Sequence, residues 1–205
     1  SDLNQVQAKI DLTVRAILIE SPTNPLMQVT DIQGITKLAQ DNNILTIVDN
    51  TFMTPYLQRP ISLGADIVIH SATKYLGGHS DLIAGLVVVN SSELAERVHF
   101  IQNATGGVLS PFDSWLLIRG IKTLGIRMDR HLENTLKINQ FLHKNPAIDK
   151  IYYPGQSNHG QANIQKKQAN GAGAIVSFEL NSSYNVNQFL TSLKLITLAE
   201  SLGGV

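Results

Sequence analysis

The sequence predicts an α/β fold, with a mostly parallel, doubly wound sheet and a smaller C-terminal α/β domain. Residues 44–48 and 67–69 are apolar runs without alternation, as in strands that are buried on both faces of a sheet. Residues 14–20 form a third strand, and a helical pattern separates it from residues 44–48. This strand–helix–strand order is typical of parallel strands joined by crossover connections.

The other elements of the first domain follow from the spacing of apolar side chains. A short opening helix carries Leu3, Val6 and Ile10, and the helix after the first strand is capped by Thr30 or Asp31. The strand at residues 86–89 follows residues 67–69 too closely for a crossover helix, so we expect it to run antiparallel.

Three helices complete that domain, at residues 93–103, from Pro111 onward, and at residues 126–144. We expect Trp115 in the core, because buried positions are the usual ones for an aromatic side chain at helical spacing. The inward face of the last helix is predicted to carry Leu132, Leu136 and Leu142. Its solvated face, without a chemical role, is predicted to carry Arg127, Arg130 and His131.

Asn145-Pro146 ends the long helix, and the sequence places the domain boundary there. Residues 1–145 are assigned to the large domain with its connecting helix, and residues 146–205 to the start of the small one. In the small domain we expect strands at residues 148–153, 174–180 and 195–198. Helices are expected before the second strand and at residues 186–193.

Composition excludes several classes of function. The chain of 205 residues has a net charge of zero and no cysteine, which excludes disulfides, cysteine-ligated zinc and a thiol nucleophile. Balanced charge gives no indication of nucleic acid or of a membrane surface as a partner. No metal-binding motif, signal peptide or membrane-spanning run occurs in the sequence, so the cytoplasm is the expected compartment.

Polar side chains follow the strand at residues 67–69. Ligands of open α/β sheets bind beyond the carboxyl ends of the strands, and here that position holds Ser71, Thr73 and Lys74. Two hydroxyls can bind a phosphate. A lysine beside a dry sheet loses its proton more easily than a solvated one and can form a Schiff base with an aldehyde. Taken alone, a solvated surface lysine is the commoner interpretation.

The end of the neighbouring strand makes a Schiff-base lysine the better interpretation of Lys74. Asp49 follows residues 44–48, and a carboxylate there can keep a heterocyclic nitrogen protonated. Pyridoxal phosphate (PLP) needs an amine for its aldehyde, an acid opposite its ring nitrogen and donors for its phosphate. Lys74, Asp49, Ser71 and Thr73 supply all three, although Asp49 by itself could simply cap a helix.

The chain also resembles the Cys/Met-metabolism family of PLP enzymes. The resemblance lies in Ser21-Pro22-Thr23-Asn24-Pro25, Val48-Asp49-Asn50-Thr51-Phe52, Ser71-Ala72-Thr73-Lys74-Tyr75-Leu76-Gly77-Gly78-His79-Ser80-Asp81 and Leu198-Ala199-Glu200-Ser201-Leu202-Gly203-Gly204. It implies the aspartate aminotransferase type of fold and PLP bound covalently to Lys74. It further implies that Asn24 lies near the cofactor's ring hydroxyl or the substrate's carboxylate, and Ser201 against that carboxylate. From the sequence alone, Asn24 is equally well a turn residue.

The resemblance also implies an activity. The form Ala199-Glu200-Ser201 resembles the γ-lyase and γ-synthase branches, with Glu200 beside the substrate. The implied reaction is γ-elimination of cystathionine, a small sulfur-containing amino acid. Cystathionine β-lyase, cystathionine γ-synthase and methionine γ-lyase activities share every motif and remain open. An alternative of another class is a non-catalytic protein that binds a phosphorylated metabolite with Ser71 and Thr73.

Some features of the family have no counterpart between Ser1 and Val205. These are a glycine-rich phosphate loop and a tyrosine stacking on the cofactor, which lie upstream, and an arginine for the substrate carboxylate, which lies downstream. We therefore expect the chain to be a fragment of a longer enzyme. The resemblance implies a homo-oligomer, a dimer of dimers, in which a neighbouring subunit completes the site.

Overall fold

The computed structural model describes residues 2–205, which form eight α-helices and six strands. The helices are α1 (Leu3–Gln7), α2 (Ile32–Asp41), α3 (Thr54–Leu57), α4 (Ser92–Thr105), α5 (Pro111–Lys122), α6 (Leu124–Lys144), α7 (Ala162–Gln168) and α8 (Val186–Ser192), with a 3-10 helix at Pro60–Leu63. The strands are β1 (Ala16–Glu20), β2 (Leu45–Asp49), β3 (Ile67–Ser71), β4 (Gly85–Val89), β5 (Ile148–Tyr152) and β6 (Ser177–Leu180).

The main sheet has the order β1-β2-β3-β4. Strands β1, β2 and β3 are parallel, and β4 pairs antiparallel with β3. The α/β prediction, including the reversed direction of β4, is confirmed. Because the three parallel strands end at one edge, the chain leaves that edge three times, after Glu20, Asp49 and Ser71.

Helix α2 covers one face of this sheet. Its N-cap is Asp31, whose carboxylate accepts a hydrogen bond from the Gly34 amide at 3.0 Å. Ile32, Ile35 and Ala39 are buried on the inward face of the helix. Their positions follow helical spacing, which explains why the sequence located this helix.

The opposite face is less covered than the sequence predicted. In β2 and β3, residues on the α2 side such as Val48 and Val68 are buried, whereas Ile47 and Ile69 on the other side are only half-buried. Leu18 in β1 is 68% exposed. The prediction of burial on both faces is therefore wrong for the described residues. The reason is that α4, the helix that follows β4, buries none of its residues.

Helices α5 and α6 pack instead against the segment that follows β3. Tyr75 and Leu76 form a buried cluster with Leu117 of α5 and with Leu124 and Met128 of α6. The core prediction for Trp115 is wrong, because its side chain is 53% exposed. There it stacks on Phe112 and carries the Arg119 guanidinium 5.1 Å from the ring centroid.

The inward face of α6 also differs from the prediction. Its buried residues are Leu124, Arg127, Met128, Thr135 and Leu142. Of the three leucines predicted to face inward, Leu142 is buried, Leu132 is half-buried and Leu136 is half-exposed. The assignment of Arg127 and His131 to the solvated face is wrong, whereas Arg130 is exposed as expected. Both differences arise because the face of α6 that carries Leu124, Arg127, Met128 and His131 contacts the segment after β3.

The C-terminal region contains a separate two-stranded sheet, in which β5 and β6 pair antiparallel. The strand predicted at residues 195–198 is absent from the described structure. Residues 193–205 contain neither helix nor strand, and Leu195 is 95% exposed. An apolar run forms a strand only when a partner strand lies beside it, and no described strand pairs with this run.

Glutamines fasten α7 to the start of α2. Gln168 Oε1 accepts a hydrogen bond from the Ile32 amide at 3.2 Å, and Gln168 Nε2 donates to the Thr30 carbonyl at 3.0 Å. Gln161 Oε1 accepts from the Val29 amide at 3.5 Å. Residues on both sides of the predicted boundary at residue 145 thus share hydrogen bonds, and that boundary stays a prediction.

Residues 2–205 lack two further kinds of feature. No helix there is both long and apolar enough to cross a bilayer. Nor does this part of the chain group three histidine or acidic side chains that could hold a metal ion.

Candidate active site

The sequence-predicted polar side chains lie at the edge of the sheet where the parallel strands end. Glu20 pairs with Asp49 across β1 and β2, and Asp49 pairs with Ile69 across β2 and β3. Ser71 is the last residue of β3. Lys74 follows in a turn that we call the Lys74 loop, residues 72–80. This arrangement follows from the parallel register, which aligns the three carboxyl ends.

The Lys74 amine is the centre of this edge. Its Nζ donates a hydrogen bond to Ser201 Oγ at 3.0 Å, so a residue 127 positions later in the chain reaches it. Within residues 2–205 both ion pairs involve Glu133, with Arg130 and with Lys137, and Lys74 has no carboxylate partner. Within the described residues, the one polar side-chain contact of this amine is thus the Ser201 hydroxyl.

Asp49 offers one carboxylate oxygen to a ligand. Its Oδ1 accepts a hydrogen bond from the Thr51 amide at 2.9 Å, whereas the structure gives Oδ2 no donor from residues 2–205. The helix-cap alternative considered from the sequence is wrong, because the next helix, α3, has Met53 at its N-cap and no side-chain cap. Asp49 Oδ1 accepts within a local turn instead, and Oδ2 stays available.

His70 lies beside this carboxylate but is buried. Burial lowers the pKa of His70, and the charge of Asp49 opposes that shift and raises it. Its Nδ1 has no hydrogen-bond partner within residues 2–205. The strand register explains its position, because His70 alternates with Ser71 and points to the α2 side of the sheet with Val68.

The two hydroxyls predicted to bind phosphate are placed differently. Ser71 anchors by its backbone, with its amide donating to Thr51 Oγ1 at 2.8 Å, and no residue between 2 and 205 bonds its hydroxyl. Thr73 Oγ1 accepts from the Ala84 amide at 3.0 Å and donates to the Ala84 carbonyl at 3.3 Å. Thr73 thus joins the Lys74 loop to Ala84. Its hydroxyl can donate to a phosphate only if it gives up the 3.3 Å hydrogen bond to the Ala84 carbonyl.

Asn24 and Glu200 lie at the periphery of the site. Asn24 is exposed in the loop that leaves β1, and its amide donates to Glu20 Oε2 at 3.3 Å. Its side chain does not bond its own backbone, unlike the turn residue considered from the sequence. Glu200 is exposed and makes no hydrogen bond or ion pair within residues 2–205. The structure thus joins Ser201, but not Glu200, to Lys74.

The residues around Ser201 lie directly on the Lys74 loop. The Val205 amide donates to the Gly78 carbonyl at 3.1 Å. Gly203 lies so close to Tyr75 that an added Cβ would be 2.8 Å from the Tyr75 nitrogen. The absence of a side chain at this position lets two irregular segments pack backbone to backbone.

Sequence reasoning missed two residues near Lys74, Arg127 and His131. Arg127 Nη1 donates to the Tyr75 carbonyl at 2.8 Å, and the His131 ring packs edge-on against the Tyr75 ring, with 5.5 Å between the centroids. A signal was present, because both residues share helical spacing with Leu124 and Met128. It was overlooked because charged residues in a helix are usually solvated.

An apolar groove elsewhere is unsuited to this chemistry. It has a volume of about 680 Å³ and lies between α6, α8 and the β5–β6 sheet. Its lining includes Ile138, Phe141, Phe178, Tyr184 and Phe189, and it holds neither an amine nor a carboxylate. The edge of the main sheet is the better candidate because it brings both together.

The side chains at that edge fit PLP. Lys74 provides an amine without an acidic partner, Asp49 provides a carboxylate oxygen without a donor, and Ser71 provides a hydroxyl without a partner in the described chain. An amine for the aldehyde, an acid for the ring nitrogen and a donor for the phosphate are the kinds of group that PLP requires.

Comparison with known proteins agrees with this fit. A family model described as Cys/Met metabolism PLP-dependent enzyme matches residues 1–205. Cystathionine γ-lyase of Bacillus subtilis (strain 168) is 54% identical over 205 residues, which are 100% of this chain and 54% of that protein. Cystathionine β-lyase of Lactococcus lactis subsp. cremoris has the same identity and the same coverage.

Solved structures give the same result. The crystal structure of cystathionine γ-lyase from Lactobacillus plantarum complexed with L-serine matches with a TM-score of 0.98 at 53% identity. The match covers 99% of this chain and 53% of that one. The chain thus spans about half the length of the relatives it matches.

Proposed function

Because the chain belongs to the family of Cys/Met metabolism PLP-dependent enzymes, we propose that the whole protein is a carbon–sulfur lyase acting on cystathionine. The proposed reaction is γ-elimination to cysteine, 2-oxobutyrate and ammonia. The observation that carries the placement of the substrate beside Lys74 is the 3.0 Å hydrogen bond from Lys74 Nζ to Ser201 Oγ. An amino acid held by the segment around Ser201 would lie within reach of the Lys74 amine.

Lys74 has two proposed roles. Bound PLP supplies an aldehyde that bonds to an amine and a ring that accepts electrons from the substrate's α-carbon. Lys74 would hold the cofactor through its amine. As a free amine, Lys74 Nζ would be the base that takes the substrate's α-proton. The lack of a carboxylate partner supports both roles.

Asp49 is proposed to keep the cofactor's ring nitrogen protonated. An ionised carboxylate beside a nitrogen base favours the protonated form of that base. Oδ2 is the oxygen for this contact, since Oδ1 already accepts from Thr51. The Thr51 bond would fix the orientation of the carboxylate, so that Oδ2 keeps facing the ring nitrogen.

Ser71 and Thr73 are proposed to bind the phosphate. The Ser71 hydroxyl supports this role because it has no partner in the described chain. Thr73 would contribute less as long as its hydroxyl donates to the Ala84 carbonyl.

The substrate is proposed to lie between the Lys74 loop and the segment around Ser201. Ser201 would contact the substrate's carboxylate, with Glu200 beside it and Asn24 on the opposite wall. Asn24 and Glu200 are exposed, which leaves their side chains available to a ligand.

The choice of γ-elimination over other reactions of the family is the finer part of this proposal. It rests on the form Ala199-Glu200-Ser201 and on the resemblance to γ-lyases. The γ-lyase and the β-lyase compared above are equally similar to this chain. β-Elimination is therefore the second candidate, ahead of cystathionine γ-synthase and methionine γ-lyase activities.

The proposed protein is a cytoplasmic homo-oligomer, a dimer of dimers, whose ligands are PLP and a small sulfur-containing amino acid. Exposed apolar side chains on α5, among them Phe112 and Ile118, support self-association. Light scattering on the full-length enzyme tests this, with a mass of four chains expected.

Product analysis with the full-length holoenzyme tests the reaction. With cystathionine as substrate, 2-oxobutyrate and cysteine are expected. Pyruvate and homocysteine would instead establish β-elimination. The control is enzyme treated with borohydride, which should be inactive because reduction fixes the cofactor on Lys74. A protein that shows neither turnover nor a visible absorption band removed by borohydride would refute the proposal in favour of simple metabolite binding.

A further inference from the structure

Arg127 is a buried cation without an acidic partner. The residue is 8% exposed, and burial lowers the pKa of its guanidinium, which nevertheless stays protonated as arginine does in proteins. Both ion pairs within residues 2–205 involve Glu133, so no described carboxylate compensates this charge. A buried charge is costly unless hydrogen bonds replace its water. The contacts of this side chain are therefore its main structural feature.

Those contacts are three hydrogen bonds to three separate places. Nη1 donates to the Tyr75 carbonyl and Nη2 to the Gly120 carbonyl, each at 2.8 Å. Nε donates to Thr123 Oγ1 at 3.0 Å. Because the guanidinium is planar and rigid, these bonds fix the Tyr75 carbonyl relative to the end of α5 and the start of α6.

Tyr75 directly follows Lys74, so the bond holds the second peptide group on the C-terminal side of the proposed nucleophile, Tyr75–Leu76. The carbonyl of Lys74 itself accepts a hydrogen bond from the Gly78 amide at 2.8 Å. With the carbonyls of Lys74 and Tyr75 both held, the backbone on the C-terminal side of Lys74 has little freedom.

Two glycines allow the guanidinium to reach this position. A Cβ on Gly78, which has φ +73°, would overlap the Arg127 guanidinium. A Cβ on Gly120 would overlap the carbonyl oxygen of Gly77 and lie 2.7 Å from that of Leu76. The Lys74 loop, α5 and the guanidinium thus meet at backbone contact distance.

His131, one turn further along α6, packs an uncharged ring beside the same segment. Its ring packs edge-on against the Tyr75 ring. Burial first, and then the charge of Arg127, lower the pKa of His131, so the neutral ring is favoured and no second cation lies beside the guanidinium.

We propose that Arg127 is a positioning residue, whose guanidinium fixes the Tyr75 carbonyl and thereby the direction in which the Lys74 side chain leaves the backbone. This proposal rests on the proposed role of Lys74. Its rival is a purely structural role, in which Arg127 only joins α5 to α6. The rival predicts loss of stability without a specific change in the Lys74 loop.

Arg127→Met tests the proposal in the full-length enzyme, because methionine keeps an unbranched, flexible side chain and removes every hydrogen bond of the guanidinium. Arg130→Met is the matched control, since Arg130 lies three residues along the same helix with an exposed side chain. Hydrogen exchange of the Gly77 and Gly78 amides is measured in the cofactor-free protein, so the result does not depend on activity. In Arg127→Met we expect exchange of these two amides to rise about tenfold or more, with little change in α4 or β5.

The kinetic readout separates positioning from binding. In Arg127→Met, kcat should fall by about ten- to a hundredfold, as expected when a reacting group is misplaced, with KM changed less than twofold. Arg127→Lys retains the charge and one donor nitrogen, so its amide exchange and its kcat should lie between those of the parent and those of Arg127→Met. If the methionine variant fails to fold, Arg127→Lys alone tests the proposal. Arg130→Met should match the parent protein.

Two results would overturn the proposal. In the first, Arg127→Lys and any methionine variant that folds match the parent protein in two quantities. These are hydrogen exchange at the Gly77 and Gly78 amides and kcat per folded molecule. The other is exchange that rises uniformly over the whole protein. If the parent protein itself never attaches PLP to Lys74, the proposed function fails instead, and the exchange data still report whether Arg127 holds the loop.

Discussion

The two sides of the Lys74 loop differ in almost every physical respect. On the side of α5 and α6 the loop is buried, with Tyr75 and Leu76 in an apolar cluster and Arg127 bonded to a loop carbonyl. On the side of residues 200–205 it meets an irregular and partly exposed segment, bonded through Ser201 and Val205.

This difference separates two tasks within nine residues. The buried side holds backbone groups, whose positions are fixed by close packing and by a permanent charge. The open side presents the Lys74 amine, which must exchange partners during a reaction. Substitutions on the open side should therefore cost chemistry without stability, and substitutions on the buried side should cost both. Four predictions test this contrast, from the largest expected effect to the smallest.

Lys74→Ala should abolish covalent attachment of PLP and reduce turnover by about four orders of magnitude or more, because both nucleophile and base are lost. The melting temperature of the cofactor-free protein should stay within about 2 °C of the parent, since Lys74 contributes one exposed hydrogen bond. Borohydride trapping followed by peptide mass analysis measures attachment. Lys122→Ala, an exposed lysine of α5, is the control, and trapped cofactor in Lys74→Ala would contradict the assignment.

Asp49→Asn should leave cofactor binding in place and lower kcat by about two to three orders of magnitude, the usual loss when one fixed electrostatic group is removed. The amide keeps the shape and can still accept from Thr51. Steady-state kinetics and a cofactor titration measure the two quantities. Asp41→Asn, at the exposed end of α2, is the comparison. Near-normal turnover would mean that Asp49 serves only to hold the Thr51 turn.

Gly120→Ala should destabilise the protein by about 1–3 kcal/mol, because the new methyl group overlaps the carbonyl oxygens of Leu76 and Gly77. Activity should fall together with stability, since the displaced loop carries Lys74. Denaturant unfolding of the full-length enzyme and kcat per folded molecule are the measurements. Gly107→Ala has only a contact of 3.6 Å and should be neutral. If Gly120→Ala is destabilised but its activity is unchanged, packing on the buried side of the Lys74 loop does not control the position of Lys74.

Glu200→Ala should have the smallest effect, a shift in products from 2-oxobutyrate toward pyruvate with stability unchanged. γ-Elimination requires a second proton to be removed at Cβ, so a carboxylate near the substrate matters more than in β-elimination. Chromatographic separation of the two oxo acids gives the ratio, with Glu96→Ala as the control. An unchanged ratio would show that Glu200 does not select the reaction.

The sequence predicted the sheet and the polar side chains at its edge because both have local signals. The apolar runs ending at Asp49 and before Ser71 located two parallel strands, and the short link before β4 gave its direction. Lys74, with its hydroxyls and glycines, occurs within one short motif. In each of these cases, residues close together in the sequence determine the local structure.

The features that were not predicted depend on contacts between distant parts of the chain. The burial of Arg127 depends on a carbonyl 52 residues earlier, at Tyr75. Trp115 is exposed, and residues 195–198 are not a strand, because an apolar pattern does not specify which surface or strand will cover it. The bond between Lys74 and Ser201 joins residues 127 positions apart, and no local pattern indicates it.

The glutamines of α7 have a consequence for the order in which the protein is made. The first amide of α2, at Ile32, is capped by Gln168, a residue 136 positions later. At a synthesis rate of about 5–20 residues per second, that partner emerges from the ribosome on the order of ten seconds after α2. During that interval the N-terminal end of α2 lacks its final acceptor, and closing so long a loop is entropically costly. The N-terminal end of the helix that covers the main sheet is therefore completed only after α7 has been synthesised.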